Sequence, residues 1–357
     1  MAFATLHRAI VGTLISTLSL AGCSQSEQRP EQRTNLTGSE PLSTIVPNTT
    51  NKPSKSVAIT AIVEHPSLDA IRQGVIDELA AEGYQQGSNL KVNFQSAQGS
   101  TATVGQISKQ FVADRPDAIV AISTPSAQSI AVATKDIPIV YTAVSDPVTA
   151  KLIDSKNRPI QANITGLSTQ LPLGPQLDMI QQLIPNAKAL GYVYSPGEMN
   201  SVSVRDNLKA DLPKRGMTLV DMPANRPTDI AMATNSLEGK AQLIYTSMDN
   251  NVASAFESMV KTANTAKLPI IASDEFSVRR GATAALGVND YEFGRTTGKM
   301  VAQILDGKPV TQVPPQIMNK LTLFVSPKHA ALQGVTIPDS LLRNAINVDT
   351  TPAKSAK

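Results

Sequence analysis

Six short polar clusters of this sequence each follow an apolar run that is typical of a β-strand. The three in the first half of the chain are residues 64–66, 123–126 and 142–147, and the three in the second half are residues 195–201, 246–250 and 273–275. In an open parallel sheet, ligands bind beyond the carboxyl ends of the strands, where helix N-termini offer free N–H groups and a positive dipole end. We therefore expect these clusters to form one ligand-binding edge.

The two sets of clusters differ in their chemistry. The first set is rich in hydroxyl groups at expected helix starts, from Ser123, Thr124 and Ser145. These groups suit a carboxylate, whereas Asp249 and Asp274 of the second set suit an ammonium group. Together they fit an α-amino acid. The alternative for each hydroxyl is N-capping of the next helix, and for each acid it is a cap or a solvated loop.

The elements that must position these clusters are repeated βα units. The first unit is an apolar strand at residues 57–63 and a helix at 67–82 with apolar residues at helical spacing, which Gly83 ends. Similar units continue to about residue 141 and include a strand at 118–122. A second series runs from residue 163 to 272 and includes a helix near 173–183, a strand at 189–194 and a helix at 252–266. We therefore expect an α/β protein with two doubly wound parallel-sheet lobes.

Three late elements find no free place at the end of the second lobe. They are a strand at 282–288, a helix at 292–305 and a strand at 321–325. The simplest arrangement takes the chain from the second lobe back to the first lobe and then to the second lobe again. The two lobes are then joined by a hinge of three crossovers. We assign residues 56–163 and 284–312 to lobe I, 164–283 and 313–345 to lobe II, and 346–357 to a disordered tail.

The first 55 residues carry targeting signals and a linker. Residues 1–22 have a weakly positive start and an apolar run that is too short to span a bilayer comfortably, which is typical of a signal peptide. The sequence Leu-Ala-Gly-Cys at 20–23 resembles a bacterial lipobox, so we expect a lipid on Cys23. Residues 23–55 are rich in Ser, Thr, Asn, Gln and Pro and are expected to be a disordered tether. The alternative is an ordinary signal peptide with an incidental cysteine.

Composition and motifs exclude several classes of function. The net charge of +3 leaves no basic face for a nucleic acid. Only His65 and His329 follow the leader, without metal-ligand spacing, and Cys23 is the single cysteine. The sequence has no phosphate-binding loop, dinucleotide-binding turn or nucleophile elbow. We expect no enzyme activity, no metal and no cofactor.

Seven segments resemble the tryptophan/tyrosine-type substrate-binding lipoproteins of ABC transporters, which have the type I periplasmic-binding-protein fold. They are residues 64–69, 96–99, 123–128, 143–147, 194–198, 249–250 and 286–288. The resemblance implies capture of an aromatic amino acid, or a related small amphipathic molecule, between lobes that close by a hinge. It also implies an ABC permease as partner and an exported, membrane-anchored protein facing the periplasm or the cell exterior. We expect a monomer.

The same resemblance implies roles for single residues. Thr124, Ala143 and Ser145 would hold the ligand carboxylate, and Asp249 or Asp274 its ammonium. The remaining candidates for the pocket lining are Glu64, His65, Ser123, Val144, Asp146, Ser195, Glu198, Asn200, Asn250 and Tyr291. Ser123, Ser145 and Ser195 stand where Ala, Thr and Asn are common in relatives, so the side-chain pocket stays open.

The same two-lobed fold also occurs in repressors and could serve a sensor. A repressor would carry a helix-turn-helix before lobe I, where this chain has a polar tether. A sensor that presents its closed form to a membrane receptor is compatible with the same binding body. A branched-chain amino acid or a nucleoside is the alternative ligand.

Overall fold

The structure, a computed structural model, describes residues 52–169, 171–318 and 320–352. The expected signal peptide, Cys23 with its lipid, most of the tether and residues 353–357 of the tail lie outside the described residues. Within those three ranges, no helix combines the length and the apolar character that a membrane span requires.

Lobe I begins with alternating strands and helices. They are β1 (Lys55–Ala61), α1 (Pro66–Ala81), β2 (Leu90–Ser96), α2 (Thr101–Asp114), β3 (Ala118–Ile122), α3 (Thr124–Ala133), β4 (Ile139–Val144) and β5 (Ile164–Ser168). Every residue of β3 and β4 is buried. This is the pattern of parallel strands covered by helices on both faces.

The chain then builds lobe II. Its elements are α4 (Leu173–Leu183), β6 (Ala189–Tyr194), α5 (Met199–Asp211), β7 (Thr218–Pro223), α6 (Ile230–Asn235), β8 (Leu243–Tyr245), α7 (Asn250–Ser254), α8 (Phe256–Ala266), β9 (Ile270–Asp274), α9 (Glu275–Arg280) and β10 (Ala284–Val288). The chain returns to lobe I with α10 (Asp290–Leu305) and β11 (Gln316–Ile317), and ends in lobe II with β12 (Thr322–Val325), α11 (Pro327–Leu332), α12 (Asp339–Leu342) and β13 (Ile346–Asn347).

Each lobe has its own sheet and its own core. The strand order is β11-β5-β4-β3-β1-β2 in lobe I and β13-β12-β10-β9-β8-β6-β7 in lobe II. Among the described strand pairs, only β10 and β12 are antiparallel. In both lobes the strand order reverses once, beside β1 and beside β6, and such switch points are where open α/β sheets bind ligands. The predicted fold class, with three crossovers, is confirmed.

Glycines fix the returning helix α10 on lobe I. A Cβ atom at Gly294 would lie 2.1 Å from the carbonyl oxygen of Ile71, and one at Gly74 would lie 2.3 Å from that of Tyr291. The backbones of α1 and α10 therefore approach more closely than any larger residue permits. This contact anchors the second crossover, which leads from β10 into α10.

Three predicted lobe boundaries are wrong, including the start of the last lobe II segment at residue 313, because β11 pairs with β5 in lobe I. The block at residues 164–168 was assigned to lobe II, but β5 pairs with β4 in the sheet of lobe I. The strand at 284–288 was assigned to lobe I, but β10 pairs with β9 and β12 in lobe II. Strand pairing is a non-local property, which an apolar run does not specify. The crossovers therefore follow β5, β10 and β11.

The predicted disordered tail is wrong for residues 346–352. Strand β13 pairs with β12, and Val348 is buried. Ser326 Oγ donates a hydrogen bond to Asp349 at 2.7 Å, and Arg279 Nη1 donates to the carbonyl oxygen of Thr351 at 2.8 Å. These contacts order a segment whose composition alone suggests a linker.

Candidate functional site

Residues that follow the strands of both lobes line a small cavity of about 30 Å³, here called the first chamber. Lobe I contributes His65, Ser67, Leu68, Ser123, Thr124 and Ala143. Lobe II contributes Asn200, Thr246, Ser247, Met248, Asp249, Asn250, Val252, Ala253, Phe256, Asp274 and Ser277. The predicted ligand-binding edge therefore coincides with an interlobe cavity.

The start of α3 gives lobe I free hydrogen-bonding groups. Ser123 is the N-cap residue, but its side chain makes no cap hydrogen bond, and its buried Oγ has no partner among the described residues. Its backbone has φ +80° and ψ 159°, a region that is essentially restricted to glycine, and Ala143 also has a positive φ, of 54°. The strained loops thus present the positive dipole end of α3 to the chamber.

His65 adds a neutral hydrogen-bond donor to the same side. Its Nδ1 accepts a hydrogen bond from the backbone N–H of Ser67 at 3.2 Å, which caps α1. Burial lowers the pKa of His65, although the charge of Asp274 opposes this effect. Because Nδ1 accepts, Nε2 carries the proton of the neutral ring, and it is buried without a partner among the described residues.

Asp274 places a carboxylate opposite these groups. Its Oδ1 accepts hydrogen bonds from Ser67 Oγ at 3.0 Å and from the backbone N–H of Ser277 at 2.8 Å. Its Oδ2 accepts only the hydroxyl of Ser277, at 2.6 Å. Since Ser67 belongs to lobe I and Asp274 to lobe II, the first of these bonds also joins the lobes.

Asp290 is the first residue of α10 and lies close enough to Asp274 for their charges to interact. It is buried, and its Oδ2 has no partner among the described residues. Burial, reinforced by the charge of Asp274, raises the pKa of Asp290 well above its ordinary value. The neutral form of the Asp290 carboxyl is therefore favoured.

Asp249 is held by donors of its own lobe. Its carboxylate accepts from the backbone N–H of Ser195 at 2.7 Å and from Ser195 Oγ at 2.8 Å. It also accepts from Ser201 Oγ at 2.5 Å and from the backbone N–H of Val252 at 3.0 Å. Four donors saturate the group and fix its position. Ser195 consequently lies behind Asp249 and does not line the chamber.

Glu198 forms a second anionic cap on α7. Its carboxylate accepts from the backbone N–H and the side chain of Asn250, at 3.1 and 2.6 Å, and from Asn200 Nδ2 at 3.3 Å. Burial and the charge of Asp249 raise the pKa of Glu198 to about 7. The side chain is half-buried and outside the lining of the chamber.

One wall of the first chamber is apolar. Leu68 comes from α1, Met248 from the loop after β8, and Val252, Ala253 and Phe256 from α7 and the start of α8. Arg280 stacks on the Phe256 ring with 5.2 Å between the guanidinium carbon and the ring centroid. The chamber thus combines a small number of polar groups with an apolar wall, as small-molecule sites do.

A second cavity, of about 320 Å³, adjoins the first and is here called the second chamber. Both chambers are lined by Asn200, Ser247 and Met248. The second also includes Ser145, Asp146, Thr169, Leu171, Pro172, Leu173, Gln176, Ser203, Val204, Asn207, Tyr245 and Ser273.

A hydrogen bond across the second chamber also joins the lobes. Ser203 Oγ of lobe II donates to Asp146 Oδ2 of lobe I at 2.6 Å. Burial acts to raise the pKa of Asp146, but hydrogen bonds from Ser203 and Thr149 outweigh it and hold the pKa below its ordinary value. With the bond from Ser67 to Asp274, this contact shows that the cleft is closed.

The structure separates the predicted site residues into three groups. His65, Ser123, Thr124, Ala143, Asn200, Asp249, Asn250 and Asp274 line the first chamber, and Ser145 and Asp146 line the second. Glu64, Val144, Ser195, Glu198 and Tyr291 line neither. Glu64 is exposed and accepts from Gln98 Nε2 at 2.6 Å, and Tyr291 donates to Asp77 on the α1–α10 surface at 2.8 Å.

Several lining residues were not predicted. Ser67 and Ser277 lie in the first turns of α1 and α9, so the rule that helix starts border the cleft was the available signal. Phe256 enters the chamber because the helix predicted at 252–266 breaks at Ala255 into α7 and α8. In the described ranges, no group of three or more His, Cys, Asp or Glu side chains is arranged to hold a metal ion.

Comparison with known proteins places the chain in a family. Residues 56–349 match the family model described as ABC transporter substrate binding protein. The tyrosine-binding protein of Clostridioides difficile is 35% identical over 317 residues, which cover 89% of this chain and 88% of that protein.

Two solved structures of similar sequence identity show different degrees of likeness. A Streptococcus pneumoniae ABC domain in complex with L-Trp is 34% identical, with a TM-score of 0.78. The ligand-free, open structure of a substrate-binding protein with adhesive properties from Clostridium difficile is 36% identical, with a TM-score of 0.62. Each match covers 82% of this chain and 98% of the other. The greater likeness to the L-Trp complex agrees with the interlobe hydrogen bonds.

The matched region contains both lobes, all three crossovers and both chambers. Substrate-binding proteins of ABC importers are extracytoplasmic, and they present a small molecule to a permease without transforming it. The chain belongs to the family of ABC transporter substrate-binding proteins.

Proposed function

We propose that this protein captures an aromatic amino acid between its two lobes and delivers it to an ABC permease. One observation carries the proposal. The first chamber brings unpaired polar groups of lobe I, a carboxylate of lobe II and an apolar wall within one closed cavity. The tyrosine-binding relative and the solved L-Trp complex support an aromatic ligand.

The ligand carboxylate is assigned to the start of α3. Ser123 Oγ lacks a partner, and the free backbone N–H groups of this helix end favour a negative charge. The Nε2–H group of His65 lies on the same side of the chamber. Thr124 and Ala143 complete this end of the site, and Ser145 approaches it from the second chamber.

The ligand ammonium is assigned to Asp274. Asp249 has four donors on its carboxylate, so both of its oxygens are occupied. Asp274 Oδ2 accepts a single hydrogen bond and keeps a free lone pair. An ammonium at this oxygen would form a charge-assisted hydrogen bond in a buried site.

The anchor belongs to the same proposal. A lipid on Cys23, exposed by removal of residues 1–22, would hold the monomeric body close to its permease. Several acyl chains on one cysteine anchor a protein stably, whereas one chain binds only marginally. Mass spectrometry of the N-terminal peptide from the exporting cell tests this directly: a diacylated cysteine is expected, and an unmodified one would refute it.

Fluorescence provides the test of the ligand, because the chain contains no tryptophan. Light that tyrosine does not absorb excites only the added tryptophan, so titration of ligand-stripped protein should give a saturable difference from tryptophan in buffer alone. Calorimetry would follow tyrosine and phenylalanine. If no aromatic amino acid shows saturable binding by either method, the proposal is wrong.

Replacement of Asp274 by Asn tests the ammonium assignment. Loss of a charge-assisted hydrogen bond is expected to weaken binding by about 1.5–3 kcal/mol, which is roughly ten- to a hundredfold. Asp114→Asn changes the same charge at an exposed position on α2 and serves as the control. Equal affinities of the two variants would rule out Asp274 as the ammonium partner.

A further inference from the structure

The second chamber has the room that the first lacks. It is the larger of the two cavities, about 320 against 30 Å³, and the two share Asn200, Ser247 and Met248. If the amino and carboxyl groups of the ligand occupy the polar end of the first chamber, the second lies beyond this shared boundary. Its position therefore suits the end of a long side chain.

The walls of the second chamber suit an aromatic ring. Leu171, Leu173, Val204 and Met248 supply apolar surface. Met248 is held in place because its sulfur accepts a hydrogen bond from Thr169 Oγ1 at 3.5 Å. Tyr245 and Gln176, which also line the chamber, are paired with each other at 2.6 Å.

Two polar atoms of this chamber have no partner within the part of the chain that the structure describes. They are Oδ1 of Asn200 and Oγ of Ser273, on side chains that are 4% and 3% exposed. The lining contains no Lys, Arg or His, so it offers no group that favours an anion. An amide oxygen accepts hydrogen bonds only, and a hydroxyl both accepts and donates. Asp146 in the same lining already accepts hydrogen bonds from Ser203 and Thr149, so the unpaired Asn200 and Ser273 oxygens remain for an O–H or N–H donor of the ligand.

We propose that the second chamber receives the ring of the bound amino acid and selects rings that carry a hydrogen-bond donor, through Asn200 and Ser273. Phenol and indole have such a donor and phenyl has none. This inference rests on the proposed aromatic ligand and narrows it to the tyrosine and tryptophan class. Phenylalanine fills the same space but leaves the buried Asn200 oxygen unpaired, which costs affinity.

Calorimetry of the full chain with L-tyrosine, L-tryptophan and L-phenylalanine tests the inference. For the unaltered protein, tyrosine is expected to bind about tenfold more tightly than phenylalanine. Ser273→Ala and Asn200→Leu should reduce this ratio to about twofold, mainly by weakening tyrosine. Thr60→Val is the matched control, because Thr60 Oγ1 is also buried without a described partner but lies in β1 and lines neither chamber.

The outcomes separate this inference from the proposed function. If all three amino acids bind equally well to the unaltered protein, the selection is refuted while the aromatic ligand stands. If tyrosine keeps its tenfold advantage in both cleft variants, the ring donor is recognised elsewhere, and the inference is again refuted. If none of the three binds, the proposed function itself fails. Melting curves establish that each variant is folded, and Ser273→Ala removes only one unpaired hydroxyl.

Discussion

The two lobes offer opposite kinds of polar surface to the cleft. In lobe I, Ser123 Oγ and His65 Nε2 are buried without partners among the described residues. In lobe II, the carboxylates of Asp249 and Glu198 are already surrounded by donors from their own lobe. Lobe I also holds the strained backbone of Ser123 and Ala143. Lobe I therefore offers unpaired groups and strained backbone at the start of α3, whereas the Asp249 and Glu198 carboxylates of lobe II are fixed beforehand. The unpaired atoms of lobe II, Asn200 Oδ1 and Ser273 Oγ, belong to residues that line the second chamber.

This difference separates stability from affinity. Removal of a saturated carboxylate leaves several buried donors unpaired, which destabilises the fold whether or not a ligand is present. Removal of an unpaired hydroxyl costs the free protein little and costs the complex one hydrogen bond. We therefore expect substitutions at the two edges of the cleft to differ in kind as well as in size.

Asp249→Ala is expected to have the largest effect. It leaves the N–H groups of Ser195 and Val252 and two hydroxyl groups without their acceptor, so the free energy of unfolding should fall by about 3 kcal/mol or more. Urea unfolding followed by circular dichroism measures this. Asp249→Asn keeps one acceptor oxygen and should lose roughly half as much. A stable Asp249→Ala variant that fails to bind ligand would instead make Asp249 a ligand contact.

Glu198 gives lobe II a pH dependence. Burial and Asp249 raise its pKa from 4.5 to about 7. Between these values the folded protein binds more protons than the unfolded chain, so the free energy of unfolding falls as pH rises through this window. A shift of this size corresponds to about 3 kcal/mol, which solvent screening of the half-buried side chain reduces to an expected loss of about 2 kcal/mol. As far as Glu198 is concerned, stability is therefore greatest at the acidic end.

Glu198→Gln isolates this contribution, because glutamine does not titrate. Urea unfolding at several pH values should show a shallower decline for the variant between about pH 4.5 and 7, while all other groups contribute equally to both proteins. Identical slopes would mean that the ionisation of Glu198 is not opposed by its surroundings. In that case burial and the charge of Asp249 do not disfavour the charged form of Glu198.

Local elements of both lobes were predictable from the sequence. The predicted bounds of β3, α4 and β6 are the observed ones, Ala118–Ile122, Leu173–Leu183 and Ala189–Tyr194. In these segments an apolar run or an amphipathic repeat is bounded by turn-forming residues, so local information suffices. The same reasoning led to the strand-end clusters, eleven residues of which line the first chamber.

Long-range pairing was not predictable in the same way. Whether β5 joins lobe I depends on its register with β4 and on the hydrogen bond from Thr165 Oγ1 to the carbonyl oxygen of Val313, at 2.5 Å and far along the chain. Likewise, Ser195 and Glu198 follow a strand as the other candidates do, yet Ser195 donates to Asp249 and Glu198 accepts from Asn250, all within lobe II. Sequence position identifies the edge of the sheet but does not tell which side chains turn to a neighbour and which to the cavity.

Ser123 allows the smallest and sharpest test of the contrast between the lobes. Ser123→Ala and Ser123→Gly both remove the unpaired hydroxyl, so each should weaken ligand binding by about 0.5–1.5 kcal/mol with little loss of stability. Only glycine relaxes at φ +80°, and after its greater freedom in the unfolded chain is counted it should be about 1 kcal/mol more stable than alanine.

Calorimetry and urea unfolding of the two Ser123 variants measure these quantities separately. Equal stabilities would show that the loop at Ser123 is not strained, and unchanged affinities would show that its Oγ does not contact the ligand. If the glycine variant is more stable and both variants bind less tightly, lobe I holds a backbone conformation that costs folding energy and serves binding. Lobe II would then differ from it as expected, since the donors that fix its carboxylates stabilise the fold itself.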